Sequence, residues 1–255
     1  MHIALTGGAT GIGAAVAAKL KTRGVTVTAL DLHEPQDNVD HWIQVDMSDP
    51  ASVDAAVAQL DGPFDGLVNN AGLPPRHGLE KTILAVNFTG LVQLTDAILP
   101  KLKKGSAIVN TASRAGAFWR DNIEQVKALM ALGGVGDLDG FIEIHGIDHV
   151  RAYNLSKEAV IVWGLAQTER MIALDLRMNS VSPAAVSTAI LDDFEAAFGE
   201  RMAKNVARVG RPGHPDEVAD LIVFLLSDES RWLKGNDFTI DGGMSALAIC
   251  DQLEL

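Results

Sequence analysis

The residues that most limit what this chain can become stand at its start. His2-Ile3-Ala4-Leu5-Thr6 reads as a short buried strand, Gly7-Gly8-Ala9-Thr10-Gly11-Ile12-Gly13 follows at once, and a helical run from Ala14 to Arg23 comes next. A strand that turns through glycines straight into a helix is the opening of a βαβ unit. Gly7 permits the tight turn, Gly11 lets backbone approach a pyrophosphate, and Gly13 lets the helix pack closely; the helix N-terminus favours phosphate charge. A glycine turn alone is a weak signal. Here the next apolar strand, Val25 to Leu30, ends at Asp31, about 20 residues further on, where a carboxylate holds ribose hydroxyls. Asp31 repels a 2'-phosphate, and Leu32 and His33 supply no arginine or lysine to offset it, so the pattern favours NAD over NADP.

The alternation continues. Trp42 to Val45 reads as a strand leading to Asp46-Met47, then a helix over Ser48 to Leu60 with Ser48 as a candidate cap. Phe64 to Val68 is a strand ending in Asn69-Asn70-Ala71-Gly72, a helix runs from about Leu79 to Leu99, and Ala107 to Thr111 follows Lys104-Gly105-Ser106. Right-handed crossovers assemble such units into an α/β fold with a single Rossmann-type, doubly wound parallel sheet flanked by helices. A length of 255 residues suits one domain, 1–255. A formal charge of -12 opposes binding to nucleic acid or anionic membranes. No uninterrupted apolar stretch reaches the roughly 18 residues of a spanning helix. Cys250 has no intrachain partner and the N-terminus runs directly into a strand, so the expected location is the cytoplasm.

The single tyrosine, Tyr153, stands four positions before Lys157. On a helix, positions i and i+4 share a face, so a phenol and an ammonium meet in one space. A tyrosine with an ordinary pKa of about 10 is a poor base near neutrality, and a neighbouring cation lowers that value. A surface pair satisfies the same spacing, so the pair alone leaves both readings open.

Thr6-Gly7-x-x-x-Gly11-x-Gly13, Asn69-Asn70-Ala71-Gly72, Asn87 within Val86-Asn87-Phe88, Ser113, and Tyr153-x-x-x-Lys157 stand in an order that strongly resembles the short-chain dehydrogenase/reductase family. Asn179-Ser180-Val181-Ser182-Pro183 and Phe238-Thr239-Ile240-Asp241-Gly242-Gly243 extend the likeness across nearly the whole chain. The resemblance implies an NAD cofactor contacted by Gly7, Ala9, Thr10, Gly11, Ile12 and Gly13 and by Asp31. It implies adenine contacts from Asp46 and Met47, and a border from Asn69, Ala71 and Gly72. Pro183, Val186 and Thr188 would meet the carboxamide, and Tyr153 and Lys157 the ribose. Ala184 stands where the family commonly has glycine, which restricts positive φ there.

It also implies catalysis by Asn87, Ser113, Tyr153 and Lys157. Ser113 would hydrogen-bond the reacting oxygen, Tyr153 would exchange its proton, Lys157 would lower the tyrosine pKa, and Asn87 would position a water. The substrate would be a small-molecule alcohol or ketone. The alternative of another class is a non-catalytic NAD-binding regulator. A hydrolase is excluded by the lack of Gly-x-Ser-x-Gly at Ser113, and a dehalogenating lyase by the intact phosphate turn and by Lys157 itself.

The stretch from Ser113 to Tyr153 is longer than the family usually uses. Residues 117–148 read as an inserted helical segment before the Tyr153 helix, with Ile123, Val126, Leu129 and Met130 at helical spacing over Asn122 to Leu132. With Lys157-Glu158-Ala159-Val160-Ile161-Val162-Trp163 and Glu229-Ser230-Arg231-Trp232, the insertion resembles the branch that includes bacterial 3α-hydroxysteroid and coniferyl-alcohol dehydrogenases, which implies a ring-bearing substrate. Within the substrate-loop region 188–210, Ile190, Leu191, Phe194, Phe198 and Met202 suit a helical lid. Arg114 and Arg120 follow Ser113 closely; either could recognise an acidic substrate, and either could equally face solvent or the insertion. His145 and His149 could share a helical face but lack further ligands, so no metal is expected. The apolar tail Ala246 to Cys250 should dock, and the family implies a homo-oligomer, dimer or tetramer.

Overall fold

In the computed structural model, which describes residues 1–255, the strands are β1 His2–Thr6, β2 Thr26–Asp31, β3 His41–Gln44, β4 Phe64–Asn69, β5 Leu102–Thr111, β6 Arg177–Pro183 and β7 Asp237–Ile240. They form one seven-stranded sheet in the order β3-β2-β1-β4-β5-β6-β7. Every pairing is parallel. Helices cover both faces, so the inner strands are buried on both sides and read as continuous apolar runs. Ile3, Ala4 and Leu5 are all fully buried. The strand order reverses between β1 and β4, and at such a point the chain leaves opposite faces of the sheet and opens a crevice beyond the strand carboxyl ends.

The helices are α1 Gly11–Thr22, α2 Pro50–Ala58, α3 Glu80–Leu84, α4 Gly90–Ile98, α5 Ile123–Met130, α6 Leu138–His145, α7 His149–Ala166, α8 Thr168–Ala173, α9 Leu191–Val209, α10 Pro215–Leu226 and α11 Met244–Leu253. Residues of α1 and α10 pack with Ile3 and Leu5 in one apolar cluster. Those of α2, α4, α5 and α7 pack with Ala4 in a second. Alternate residues of β1 thus feed opposite cores, as the strand period requires.

Several boundaries differ from the sequence reading for identifiable reasons. The first helix begins at Gly11 rather than Ala14, and Gly11 enters it at φ 56°, a left-handed conformation that glycine adopts without a Cβ penalty. The cap of α2 is Asp49, not Ser48: its carboxylate accepts from Ala51 N at 3.0 Å, with Pro50 preset for the first helical position. Ser48 is occupied by Asp46, whose Oδ1 accepts from Ser48 N and Oγ at 2.8 and 2.7 Å. His145 and His149 do not share a helical face, because Gly146 at φ 58° ends α6 and Asp148 caps a new helix at His149.

The expected helix from Leu79 to Leu99 is interrupted by a π-helical turn, Ala85–Thr89, between α3 and α4. The run Glu80–Lys101 is long and apolar enough by composition to cross a membrane, its most apolar 18-residue window having a mean hydropathy of 1.4. Asn87, Gln93 and Asp96 interrupt it, and 67% of its most apolar window lies inside this fold. It is a core helix.

Gly90 opens α4 where the backbone after β3 crosses it; a Cβ there would lie 2.1 Å from the Met47 carbonyl oxygen. The side chains of α4 therefore enter the core only because this position has none. Gly90→Ala is expected to destabilise the protein by about 2 kcal/mol or more, since the obstacle is backbone. Gly140→Ala on α6, where an added Cβ meets nothing within 4 Å, should stabilise by about 0.5 to 1 kcal/mol. Urea unfolding of both variants checks the contrast.

Candidate active site

The crevice at the strand carboxyl ends is a cleft of about 680 Å³. At one end the β1–α1 turn is locked in place by backbone contacts. A Cβ on Gly13 would fall 1.8 Å from the Gly7 carbonyl oxygen, and one on Gly7, whose φ is +69°, would fall 2.7 Å from Ala71 Cα. Thr6 Oγ1 accepts from Asn70 N and Ala71 N at 2.9 and 3.0 Å, tying the end of β4 to the end of β1. Thr10 caps α1 without a side-chain hydrogen bond, and the first turn holds no acidic residue. Its leading amides are therefore open to an anion, and the glycine cradle fits a dinucleotide's phosphates.

Asp31 ends β2 at the same cleft. Its Oδ2 accepts from Ala9 N at 2.9 Å and its Oδ1 from His33 N at 3.0 Å, so the carboxylate is fixed in orientation at the lip. Gly7, Thr10, Gly11 and Ile12 line the cleft; so do Asp46 and Met47, Ala71 and Gly72, and Pro183, Val186 and Thr188. Ala9 and Gly13 stand behind it as supports. Asn69 is turned into the core, donating to Thr95 Oγ1 and Asn110 Oδ1 at 2.8 and 2.9 Å. Asn70, passed over in the sequence reading, faces the cleft instead and donates to the Gly7 carbonyl at 3.0 Å. Side chains alternate along an extended strand end, so one of the two asparagines had to face each way. Ala184 keeps a negative φ, with its amide donating to Ile240 O at 3.3 Å, so glycine is not required there.

Ser113 lies just past β5 and caps a short 3₁₀ turn, Arg114–Gly116, accepting from Ala115 N at 3.1 Å. Tyr153 and Lys157 project from α7. Gly116 joins the two elements: a Cβ on it would come within 2.8 Å of the carbonyl carbon and oxygen of Lys157. Only hydrogen at that position lets the Ser113 turn lie flat against the helix, and sequence reading gave no signal for it. Lys157 Nζ donates to the Thr111 carbonyl at 2.9 Å and stands 5.9 Å from the Tyr153 ring centre. Asn87, fully buried in the π-helical turn, accepts from Leu73 N at 2.7 Å and donates to Leu73 O and Ser156 Oγ at 3.1 and 3.2 Å. Both of its amide protons are thus committed to structure, leaving its second Oδ1 lone pair or its backbone carbonyl for any water. A Cβ on Gly72 would sit 3.3 Å from Asn87 Oδ1 and 3.5 Å from Lys157 Nζ, which shows how closely these groups converge.

Burial dominates the protonation of this group. It pushes the Tyr153 phenol up to about 12, with Ser113 beside it pulling weakly the other way, and pushes the Lys157 ammonium down to about 8. The expected lowering of the tyrosine pKa is therefore not found in the chain by itself. Removing both groups from water costs their charged forms more than Lys157, held toward Thr111, returns to a phenolate.

The opposite wall is apolar. Phe194 and Phe198 of α9 stack at 6.3 Å and meet the Tyr153 ring edge-on at 5.2 and 6.5 Å. Gly199, at φ 49° and ψ -135°, breaks α9 just beyond them. Asp193 on α9 accepts both hydrogen bonds of an Arg76 fork at 2.8 Å, and Arg208 near its far end pairs with Asp251 of α11. The apolar tail thus docks partly within the chain. Arg114 lines the cleft but is tied down, with Nε 3.1 Å from Ser245 Oγ and 3.5 Å from Asp241 Oδ2. Arg120 lies over the Trp119 ring at 4.1 Å.

Comparison with known proteins agrees with this architecture. Residues 1–123 match the short chain dehydrogenase family model and residues 123–245 the model described as enoyl-(acyl carrier protein) reductase. The chain is 35% identical over 246 residues to coniferyl-alcohol dehydrogenase of Pseudomonas sp. strain HR199, covering 96% of each sequence. It is 30% identical over 259 residues to 3-alpha-hydroxysteroid dehydrogenase/carbonyl reductase of Comamonas testosteroni, again covering 96% of each. The crystal structure of 3-alpha-hydroxysteroid dehydrogenase from Pseudomonas sp. B-0831, complexed with NADH, superposes with a TM-score of 0.86 at 32% identity over 97% of this chain and 98% of that one. The chain belongs to the short-chain dehydrogenase/reductase family, whose members are oxidoreductases that bind a nicotinamide cofactor.

The depressed Lys157 pKa fixes the sign of a stability change. Unfolded, the group holds its proton up to about 10.5; folded, it loses it near 8, so the unfolded state binds more protons between those values and stability rises with pH there. Below pH 8 the folded protein bears the full cost of a buried ammonium. Without cofactor, wild-type stability relative to Lys157→Met should therefore climb from pH 8 to 10.5 and level off above, as read by urea unfolding at each pH.

Proposed function

We propose that this protein is an NAD(H)-dependent alcohol dehydrogenase/carbonyl reductase that interconverts a hydrophobic, ring-bearing alcohol and its carbonyl compound. The observation that carries the proposal is the convergence of Ser113, Tyr153 and Lys157 at the wall of the cleft that Phe194 and Phe198 face. The cofactor would be held by the β1–α1 cradle and Asp31, and supplies the acceptor or donor of hydride.

Ser113 Oγ would hydrogen-bond the reacting oxygen and hold its carbon in line. In reduction the Tyr153 hydroxyl gives its proton to that oxygen; as a neutral phenol near pH 7 it is already in the required form. In oxidation it takes the alcohol proton, which requires phenolate, and the Lys157 ammonium favours that charge. Asn87 would support the group by holding the π-helical turn against Leu73 and Ser156. The apolar rings of α9 exclude water and suit a substrate with a flat or alicyclic body.

The whole chain, 1–255, would act as one catalytic domain, with 117–148 an inserted helical segment and 188–210 the substrate loop. A homo-oligomer, dimer or tetramer, follows from the family reading, the single Cys250 suits a cytoplasmic location, and the exposed Trp232 and Phe224 offer apolar surface for contacts between subunits. A non-catalytic NAD-binding role has no structural feature in its favour beyond the cradle itself.

Tyr153→Phe should retain NAD binding and lose about 1,000-fold or more in kcat. Following NADH absorbance with coniferyl, aryl-alkyl and 3α-hydroxysteroid alcohols checks this, and near-wild-type turnover in the variant would refute the assigned proton transfer. Asp31 should make NAD preferred over NADP by about 100-fold in kcat/KM, because the 2'-phosphate meets a fixed carboxylate. Asp31→Ser should narrow that ratio, and an unchanged ratio would remove Asp31 from cofactor choice.

A further inference from the structure

The cationic groups around the cleft are almost all committed. Lys157 donates to Thr111 O, and Arg114 is held by Ser245 and Asp241. Arg76, which anchors the lid, is paired with Asp193, and Arg208 with Asp251. One arginine on the cleft wall differs. Arg201 lies on α9, lines the cleft, and forms neither an ion pair nor a side-chain hydrogen bond within the chain. Asn205, which also lines the cleft and also lacks a side-chain hydrogen bond, follows at i+4, the spacing that sets two side chains on one helical face.

Their neighbours on that face are apolar. Phe194, Phe198, Met202 and Val206 line the same cleft, so the guanidinium and the carboxamide are a polar patch on an otherwise hydrophobic wall. The acidic residues of α9 do not compete for Arg201: Asp193 is bound by Arg76, and Asp192, Glu195 and Glu200 do not line the cleft. Phe194 touches Tyr153, where the reacting oxygen would sit, and Arg201 comes roughly two helical turns later, beyond the break at Gly199. A pocket that binds a hydrophobic body with a few placed polar groups uses those groups to orient it. A planar guanidinium beside a carboxamide donor matches a carboxylate.

We propose that Arg201 and Asn205 form a carboxylate subsite, and that the preferred substrates are ring-bearing alcohols or ketones with an acidic group on the end of the ring system away from the reacting carbon. This rests on the oxidoreductase reading above and specifies its substrate class. The patch is carried by α9, not by the helix that bears Tyr153 and Lys157, so it orients the substrate without touching the reacting atoms. Arg201 is solvent-exposed at the rim of the cleft, so it offers an anion a local positive charge on a chain of net charge -12, and that attraction weakens as salt is added.

The test separates binding from turnover. Calorimetric titration would compare the inert 4-isopropylbenzoate with its methyl ester on wild-type enzyme, Arg201→Gln and Arg201→Lys, each saturated with NAD. The acid should bind wild type about 10-fold more tightly than the ester. Arg201→Gln should abolish that difference while leaving ester affinity unchanged, and Arg201→Lys should restore part of it. Equal affinities for acid and ester in wild type, or an unchanged preference in Arg201→Gln, would overturn the subsite. With 4-(1-hydroxyethyl)benzoate and its methyl ester as reactants, Arg201→Gln should raise KM for the acid about 10-fold with kcat nearly constant, and leave both constants for the ester alone. If wild type oxidises neither alcohol, nor the neutral alcohols above, the oxidoreductase reading fails, while the binding arm still decides the anion site.

Discussion

The structure depends on backbone lying against backbone where a Cβ would not fit. At the head of the chain the Cα of Gly13 faces the Gly7 carbonyl so closely that an added Cβ would fall 1.8 Å from that oxygen. This contact sets α1 on β1 and aims its first turn at the cleft, and Gly7 in turn lies against Ala71 of the β4 loop. The same device recurs at Gly90 against Met47 and at Gly116 against Lys157. Each of these glycines brings a strand-end loop onto a helix, so the cleft has the width it has because side chains are missing from its frame. Close-packed interiors tolerate little change in volume, which makes such positions stricter than most apolar ones.

The chemistry is set by burial on that frame. Tyr153 and Lys157 are taken out of water together, and each is driven toward its neutral form. A neutral phenol in reach of Ser113 is a ready proton donor, while a phenolate calls for positive charge nearby. The chain by itself is thus biased toward one protonation state, and the charges that enter the cleft with its ligands decide the other. Asn87 contributes through geometry, since its carboxamide locks the π-helical turn to Leu73 and Ser156.

The wall across from this group is built differently. It is a helix broken at Gly199, pinned to the body by Arg76–Asp193 and to the tail by Arg208–Asp251, with aromatic rings against Tyr153. Partly exposed ion pairs of this kind contribute little stability each, so aromatic and apolar packing does most of the work of holding this wall. The glycine-framed side and the aromatic wall thus give the two sides of one cleft different characters, one shaped by backbone contacts and the other by apolar side chains.

The sequence by itself determined the parallel sheet, the order of its units, the glycine turn, Asp31 at the end of β2 and the Tyr153–Lys157 spacing, because each is local: strand period, turn chemistry and helical repeat act over a few residues. It could not determine which of Asn69 and Asn70 faces the cleft, since that depends on the register in which β4 meets β1 and β5. Nor could it show that Gly116 is a contact, that Arg114 is tied to the tail while Arg201 is free, or that burial raises the tyrosine pKa where a neighbouring cation was expected to lower it. These are properties of residues distant in the chain and adjacent in space. Only the packed structure fixes their distances and their loss of water, and through those the energies that sequence spacing leaves open.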